Sequence, residues 1–207
     1  MVLNDKTLIV DFGAGNLRSV ESAISYLGLK AVISSDPNKI RSADRVIFPG
    51  VGDAKAAMGV LKKTGIDVAL REVYQAGIPM LGICIGCQLI FTESEEGKTK
   101  CLDLIQGKVV KFSAGMNITI PHMGWNIVQQ KKQNPLLKGI SKVARFYFVH
   151  SYYIIPKDQS VVIGTTNYGQ KFPSMILSKN LVATQFHVEK SGVWGLKILR
   201  NFLEWQP

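Results

Sequence analysis

Pro79-Met80-Leu81-Gly82-Ile83-Cys84-Ile85-Gly86-Cys87-Gln88-Leu89-Ile90 carries an apolar strand straight into a helix, with a cysteine at the join and a glycine two residues to either side. A side chain at the tip of such a sharp strand-to-helix turn is held out from the backbone, the glycines let neighbouring chain approach, and the helix N-terminus favours a thiolate over a thiol. Cys84 is therefore the candidate nucleophile.

Working outward, the same strand-then-helix unit repeats. Thr7 to Phe12 reads as a buried strand, and after the Gly13 to Gly15 turn Leu17, Val20, Ile24 and Leu27 recur at helical spacing. Short strands follow at Ala31 to Ser34 and Arg45 to Phe48. Asp53 to Gln75 is helical with a break near Gly65, and the elbow helix is expected from Cys84 to about Phe91. Strands alternating with helices imply right-handed crossovers and a mainly parallel sheet, with sites beyond the carboxyl ends of the strands. The second half changes character. Lys108 to Phe112, Asn126 to Gln129, Arg145 to Val149, Val161 to Thr165 and Met175 to Leu177 read as antiparallel strands, and a last helix runs from about Val193 to Trp205. The expectation is an α/β fold: a flavodoxin-like, mainly parallel sheet flanked by helices, with an antiparallel extension in the second half, as a single domain over residues 1–207.

Cys84 alone does not decide the chemistry, since buried cysteines are commonly inert and Cys84-Ile-Gly-Cys87 is also the spacing of a thiol redox pair. The deciding segment is Leu181-Val-Ala-Thr-Gln-Phe186-His187-Val188-Glu189-Lys190-Ser191, where a strand-like run ends in a histidine and a carboxylate two residues apart. Along an extended chain these two share a side. A histidine beside a cysteine serves as its base, and a carboxylate on the far ring nitrogen fixes the tautomer and steadies the imidazolium. Val46-Ile-Phe-Pro49-Gly50-Val51-Gly52-Asp53 is a further strand ending in a glycine-rich turn, whose peptides can turn an N–H outward; with the N–H of Ile85 they would stabilise an oxyanion.

With 207 residues, 46% of them apolar, the chain can bury one sizeable core, and no stretch reads as a linker. No apolar run approaches the roughly 20 residues of a membrane span, and Met1 to Lys6 leads into a strand without a leader pattern, which reads as cytoplasmic. Three cysteines, Cys84, Cys87 and Cys101, suggest neither a disulfide framework nor a metal site. The net charge of +10 raises nucleic acid as a partner, but the 25 basic residues are scattered and form no basic helix or recognition motif. An acidic protein partner or a phosphorylated substrate nearby is an equally physical use of that charge.

Gly82-Ile-Cys84-Ile-Gly86-Cys87-Gln88, Pro49-Gly-Val-Gly52 and Phe186-His-Val-Glu189-Lys190-Ser191 resemble the three signatures of class I (triad) glutamine amidotransferases. A narrower resemblance, to the glutaminase subunits of imidazole glycerol phosphate synthases, rests on Asp11-Phe-Gly13-Ala-Gly15-Asn16-Leu17-Arg-Ser19-Val20, Pro121-His122-Met123-Gly124-Trp125-Asn126 and Tyr147-Phe-Val-His150-Ser151-Tyr152. The matches extend from residue 11 to Trp205. The resemblance implies a Cys84–His187–Glu189 triad that hydrolyses glutamine to glutamate and ammonia, without a cofactor. It also implies substrate contacts from Gly50, Val51, Gly52, Ile85, Gln88, Glu96, His150, Ser151 and Tyr152, with Glu96 as partner of the substrate ammonium. His122, Trp125 and Tyr147 are assigned to packing or to a subunit interface. The implied partner is a (β/α)₈-barrel synthase subunit, in a heterodimer, that uses the ammonia to make imidazole glycerol phosphate and an aminoimidazole carboxamide ribotide.

Two positions depart from the family pattern. Val188 stands where proline is usual, and Cys87 where methionine is usual, one helical turn from Cys84. The latter spacing suggests that an oxidant would bridge Cys84 to Cys87. Competing readings are a paralogous glutaminase serving another synthase, such as one modifying surface-polysaccharide sugars, and a non-catalytic regulatory subunit.

Overall fold

The computed structural model describes residues 6–113 and 118–207, so the reading of the first five residues lies outside it. Four short apolar strands, β1 (Thr7–Val10), β2 (Ala31–Ser34), β3 (Arg45–Phe48) and β4 (Met80–Ile83), pair in parallel in the order β2-β1-β3-β4. Helices α1 (Leu17–Tyr26), α2 (Pro37–Arg41), α3 (Ala54–Thr64) and α4 (Ile66–Gln75) make the crossovers. Successive strand side chains face opposite ways. Leu8, Val10, Val46 and Phe48 enter a core shared with Met58, Leu61, Leu70 and Val73 of α3 and α4, whereas Ile9 and Ile47 meet Val20 and Ile24 of α1. Burial on both faces is why these strands read as unbroken apolar runs rather than alternating ones.

After Cys84 come α5 (Ile85–Leu89), β5 (Phe91–Ser94), β6 (Thr99–Lys100), β7 (Ile105–Lys111), β8 (His122–Ile127), β9 (Gln129–Gln130), β10 (Arg145–His150) and β11 (Tyr152–Pro156). The chain closes with β12 (Val162–Tyr168), β13 (Gln170–Ser178), β14 (Leu181–Thr184) and α6 (Gly192–Glu204). β14 lies parallel to β4, and β13, β12 and β9 add antiparallel strands to complete an eight-stranded sheet. A four-stranded sheet in the order β11-β7-β5-β6 and a β8/β10 ribbon stand beside it. The parallel sheet with an antiparallel second half is as the sequence implies.

Some boundaries differ. The elbow helix ends at Leu89 rather than near Phe91, because Phe91 opens β5 and pairs in parallel with Ile105 of β7. An aromatic followed by a β-branched residue favours that pleated, half-buried setting over a further helical turn. Helix α2 was not anticipated, although its start is marked: Pro37 occupies the first turn and the Asp36 carboxylate accepts the Asn38 N–H at 2.9 Å. Among the described residues no helix is long and apolar enough to cross a membrane. The topology sets β3, β4 and β14 side by side, so the segments after Phe48, Ile83 and Thr184 converge on one edge.

Candidate active site

Cys84 sits at φ 54° and ψ −104°, a conformation that costs a residue with a Cβ about 1–3 kcal/mol. Neighbouring hydrogen bonds hold it there: the Cys84 N–H donates to the Thr184 carbonyl at 2.9 Å, and the Gln88 N–H donates to the Cys84 carbonyl at 3.3 Å. The glycines serve close approach. A Cβ on Gly86 would lie 1.8 Å from the Phe48 carbonyl oxygen, and one on Gly82 would lie 3.1 Å from the Gly86 carbonyl. The sharp strand-to-helix turn expected from the sequence is thus present, with Cys84 at the join of β4 and α5.

His187 and Glu189 meet, but by a route other than strand alternation. β14 ends at Thr184, and a 3₁₀ turn over Val188–Lys190 carries Glu189 back onto the imidazole, whose Nδ1 lies 2.7 Å from Glu189 Oε1. Both side chains are buried, and Val188 packs in the core. The His187 N–H donates to the Tyr147 carbonyl at 3.0 Å and the Ser191 hydroxyl donates to the His187 carbonyl at 2.5 Å, which fixes the turn without the proline. Burial alone would lower the His187 pKa. The Cys84 thiol and the Glu189 carboxylate outweigh it and push it up to about 10. Among the described residues His187 Nε2 has no hydrogen-bond partner, nor has Glu189 Oε2.

In front of Cys84 lies a cleft of about 340 Å³ lined by Val51, Gly52, Cys84, Ile85, Gln88, Glu96, Pro121 and Val149 to Tyr152. It contains every substrate-contact residue implied by the resemblance except Gly50, which stands behind it. The Gly50 carbonyl accepts the Ile85 N–H at 3.4 Å, so this candidate oxyanion donor is already engaged within the chain. Glu96 is half-buried, and its Oε2 accepts the Ala54 N–H at 2.8 Å. Burial raises its pKa, opposed by that hydrogen bond. Gln88 is turned inward instead, its Nε2 donating to the Tyr152 carbonyl at 3.0 Å and to Gln185 Oε1 at 3.1 Å.

Three neighbours escaped the sequence reading. Gln185, fully buried, bridges Gln88 to within 4.0 Å of the Cys84 sulfur. Asn16, in the left-handed conformation at the start of α1, donates from Nδ2 to Glu189 Oε1 at 3.4 Å and accepts the Ser19 hydroxyl at 2.5 Å. His122, assigned to packing or to a subunit interface, is indeed buried against aromatic rings, and what was missed is its hydrogen bond to His150 at 3.0 Å. Only the tight glycine turn before Asn16 signalled any of these. The structure also weakens the Cys84–Cys87 bridge. Both cysteines are free, and burial, reinforced by the Cys84 charge, raises the Cys87 pKa well above the ordinary thiol range.

A cysteine at a strand-to-helix turn on a parallel sheet, a buried histidine–carboxylate pair and a cleft before the thiol make up the candidate site of an α/β protein. The Glutamine amidotransferase class-I family model matches residues 8–205, and the chain belongs to that family. It is 46% identical over 197 residues to imidazole glycerol phosphate synthase subunit HisH of Dehalococcoides mccartyi strain CBDB1, covering 95% of each chain. It is 48% identical over 197 residues to the subunit of that name from Moorella thermoacetica, covering 95% of this chain and 93% of that one. Among solved structures, PurLQS from Thermotoga maritima superposes with a TM-score of 0.75 over 97% of this chain and 98% of that one at 15% identity, a likeness of fold.

Proposed function

We propose that this chain is the glutaminase subunit of an imidazole glycerol phosphate synthase. It is a single class I amidotransferase domain working in the cytoplasm and passing ammonia to a barrel synthase subunit that serves histidine biosynthesis. The observation that carries the reading is the buried His187, hydrogen-bonded to Glu189 on one side and made more basic by Cys84 on the other, Cys84 itself lining a cleft that contains Glu96. The likeness to HisH subunits of imidazole glycerol phosphate synthase supports the choice of synthase.

In this reading His187 takes the Cys84 proton and the thiolate attacks the side-chain amide carbon of glutamine. The oxyanion is held by the Ile85 N–H and a turned-in N–H of the Gly50–Gly52 loop, each worth about 3 kcal/mol. His187 then protonates the departing ammonia. A water deprotonated by His187 hydrolyses the γ-glutamyl thioester, with Glu189 orienting the ring throughout. Glu96 pairs with the substrate ammonium, and the backbone of His150 to Tyr152 with its carboxylate. No cofactor takes part. Because free ammonia is lost to solvent as ammonium, the subunit is useful only when docked. Met123, Trp125 and Ile127 support a docking face beside the cleft, since they alternate along β8 on its exposed side and Trp125 packs edge-on against Tyr147.

The test is glutamate release from glutamine by the purified subunit, alone and with the histidine-pathway barrel subunit of the same organism and its nucleotide ligand. Strong stimulation by that barrel is expected. Stimulation by a sugar-modifying synthase in its place would move the function to the paralogous glutaminases.

A further inference from the structure

A polar chain runs from the exposed strand β8 to the wall of the cleft. Asn126 donates from Nδ2 to His122 Nε2 at 3.3 Å and to the Asn167 carbonyl at 3.0 Å. His122 Nδ1 lies 3.0 Å from His150 Nε2, and His150 Nδ1 lies 2.7 Å from the Tyr152 carbonyl. The carbonyl can only accept, so His150 carries its proton on Nδ1 and presents a bare Nε2. His122 must then donate from Nδ1, leaving its own Nε2 bare for the Asn126 amide. Every polar atom of both rings is matched when both are neutral, and only in one tautomer each. Burial lowers the pKa of His122 to about 4 and that of His150 to about 3, which keeps them neutral.

The Tyr152 carbonyl at the end of this chain also accepts the Gln88 amide, and His150, Ser151, Tyr152 and Gln88 all line the cleft. We infer that the His122–His150 pair is a positioning device for glutamine. His122, which does not itself line the cleft, fixes the His150–Tyr152 backbone and the Gln88 side chain through a one-directional relay of hydrogen bonds. The inference rests on the glutaminase reading of the cleft. The register of the β8/β10 ribbon sets His122 opposite His150, and the His122 ring stacks between Phe148 and Tyr168, with centroids 4.7 and 4.0 Å away. Stacking and donation are therefore separable by substitution.

Steady-state glutaminase kinetics of the complex with its barrel subunit separate them. His122→Phe keeps the stack and deletes the donor; it should raise KM for glutamine about tenfold, the scale of one buried hydrogen bond, with kcat within about twofold. His122→Asn places an amide N–H where Nδ1 stood and should return KM to within about threefold of wild type. Equal KM values for the two variants, or an unchanged KM in His122→Phe, would overturn the inference. An inactive wild-type complex would instead remove the glutaminase reading. Long-range ¹⁵N–¹H spectra of the histidine-labelled wild-type chain test the relay whatever the variants do. Two neutral Nδ1–H rings are expected, and an Nε2–H or doubly protonated ring at either position at neutral pH overturns it.

Discussion

The Gly50 carbonyl occupies the Ile85 N–H at 3.4 Å, so one of the two candidate oxyanion donors is silenced by its own chain. That carbonyl belongs to the peptide whose N–H is Val51's. One rotation of the Gly50–Val51 peptide would withdraw the oxygen from Ile85 and bring the Val51 N–H inward, opening both donors together. Under the proposed function this is the resting arrangement, and docking of a barrel subunit would have a defined local event to favour.

Val51→Pro tests this directly, because proline supplies no N–H whichever way the peptide faces. The barrel-stimulated kcat should fall by about 10²–10³, with little change in KM, since the lost donor acts mainly on the transition state. A stimulated kcat within a few-fold of wild type would exclude Val51 from the oxyanion hole.

The basicity of His187 ties the site to stability. Its pKa is raised from 6.5 to about 10 in the folded chain, where Cys84 and Glu189 overcome the opposing effect of burial. A group raised in this sense contributes stability that is fully present below pH 6.5 and is lost as pH climbs toward 10. Glu189→Gln removes one of the raising partners, so the decline in urea-unfolding free energy over that interval should be shallower than in wild type. Parallel stability–pH curves for the two chains would mean that Glu189 does not raise His187.

How much of this was legible depends on whether the controlling contact is local. The strands β1, β3 and β4 were readable because both their faces are buried and their apolar runs are continuous. The elbow was readable because backbone crowding demands glycine at 82 and 86. His187 and Glu189 were rightly paired for the wrong reason, the turn at Val188–Lys190 doing what strand alternation was expected to do. The relay from His122 to His150 was not readable, because a 28-residue separation is closed only by the β8/β10 register. Gln185 and Asn16 likewise acquire their partners only when β14 and α1 pack.

Two glycine-to-alanine changes should move stability in opposite directions. Gly86→Ala drives a Cβ to 1.8 Å from the Phe48 carbonyl, a backbone atom that cannot step aside, and should cost about 3 kcal/mol or more along with the elbow geometry. Gly59 lies on the exposed side of α3 with no atom within 4 Å of the added Cβ. Gly59→Ala should therefore stabilise by about 0.5–1 kcal/mol through helix propensity, leaving kcat unchanged. Chemical denaturation of both variants checks the pair, and a destabilised Gly59→Ala would contradict the open setting of that position.

Oxidation distinguishes the two cysteines of the elbow. Thiolate is the reactive form, and full burial, with the nearby Cys84 charge, holds Cys87 as the thiol. Peroxide should therefore oxidise Cys84 alone to the sulfenic acid, and a reductant should restore glutaminase activity before further oxidation makes the loss permanent. Cys87→Ala should inactivate at the wild-type rate and recover to the same extent, and intact-mass measurement should show one added oxygen rather than the loss of two hydrogens. A two-hydrogen loss that disappears in Cys87→Ala would instead establish a Cys84–Cys87 disulfide, and would require α5 to open enough for the buried thiol to ionise.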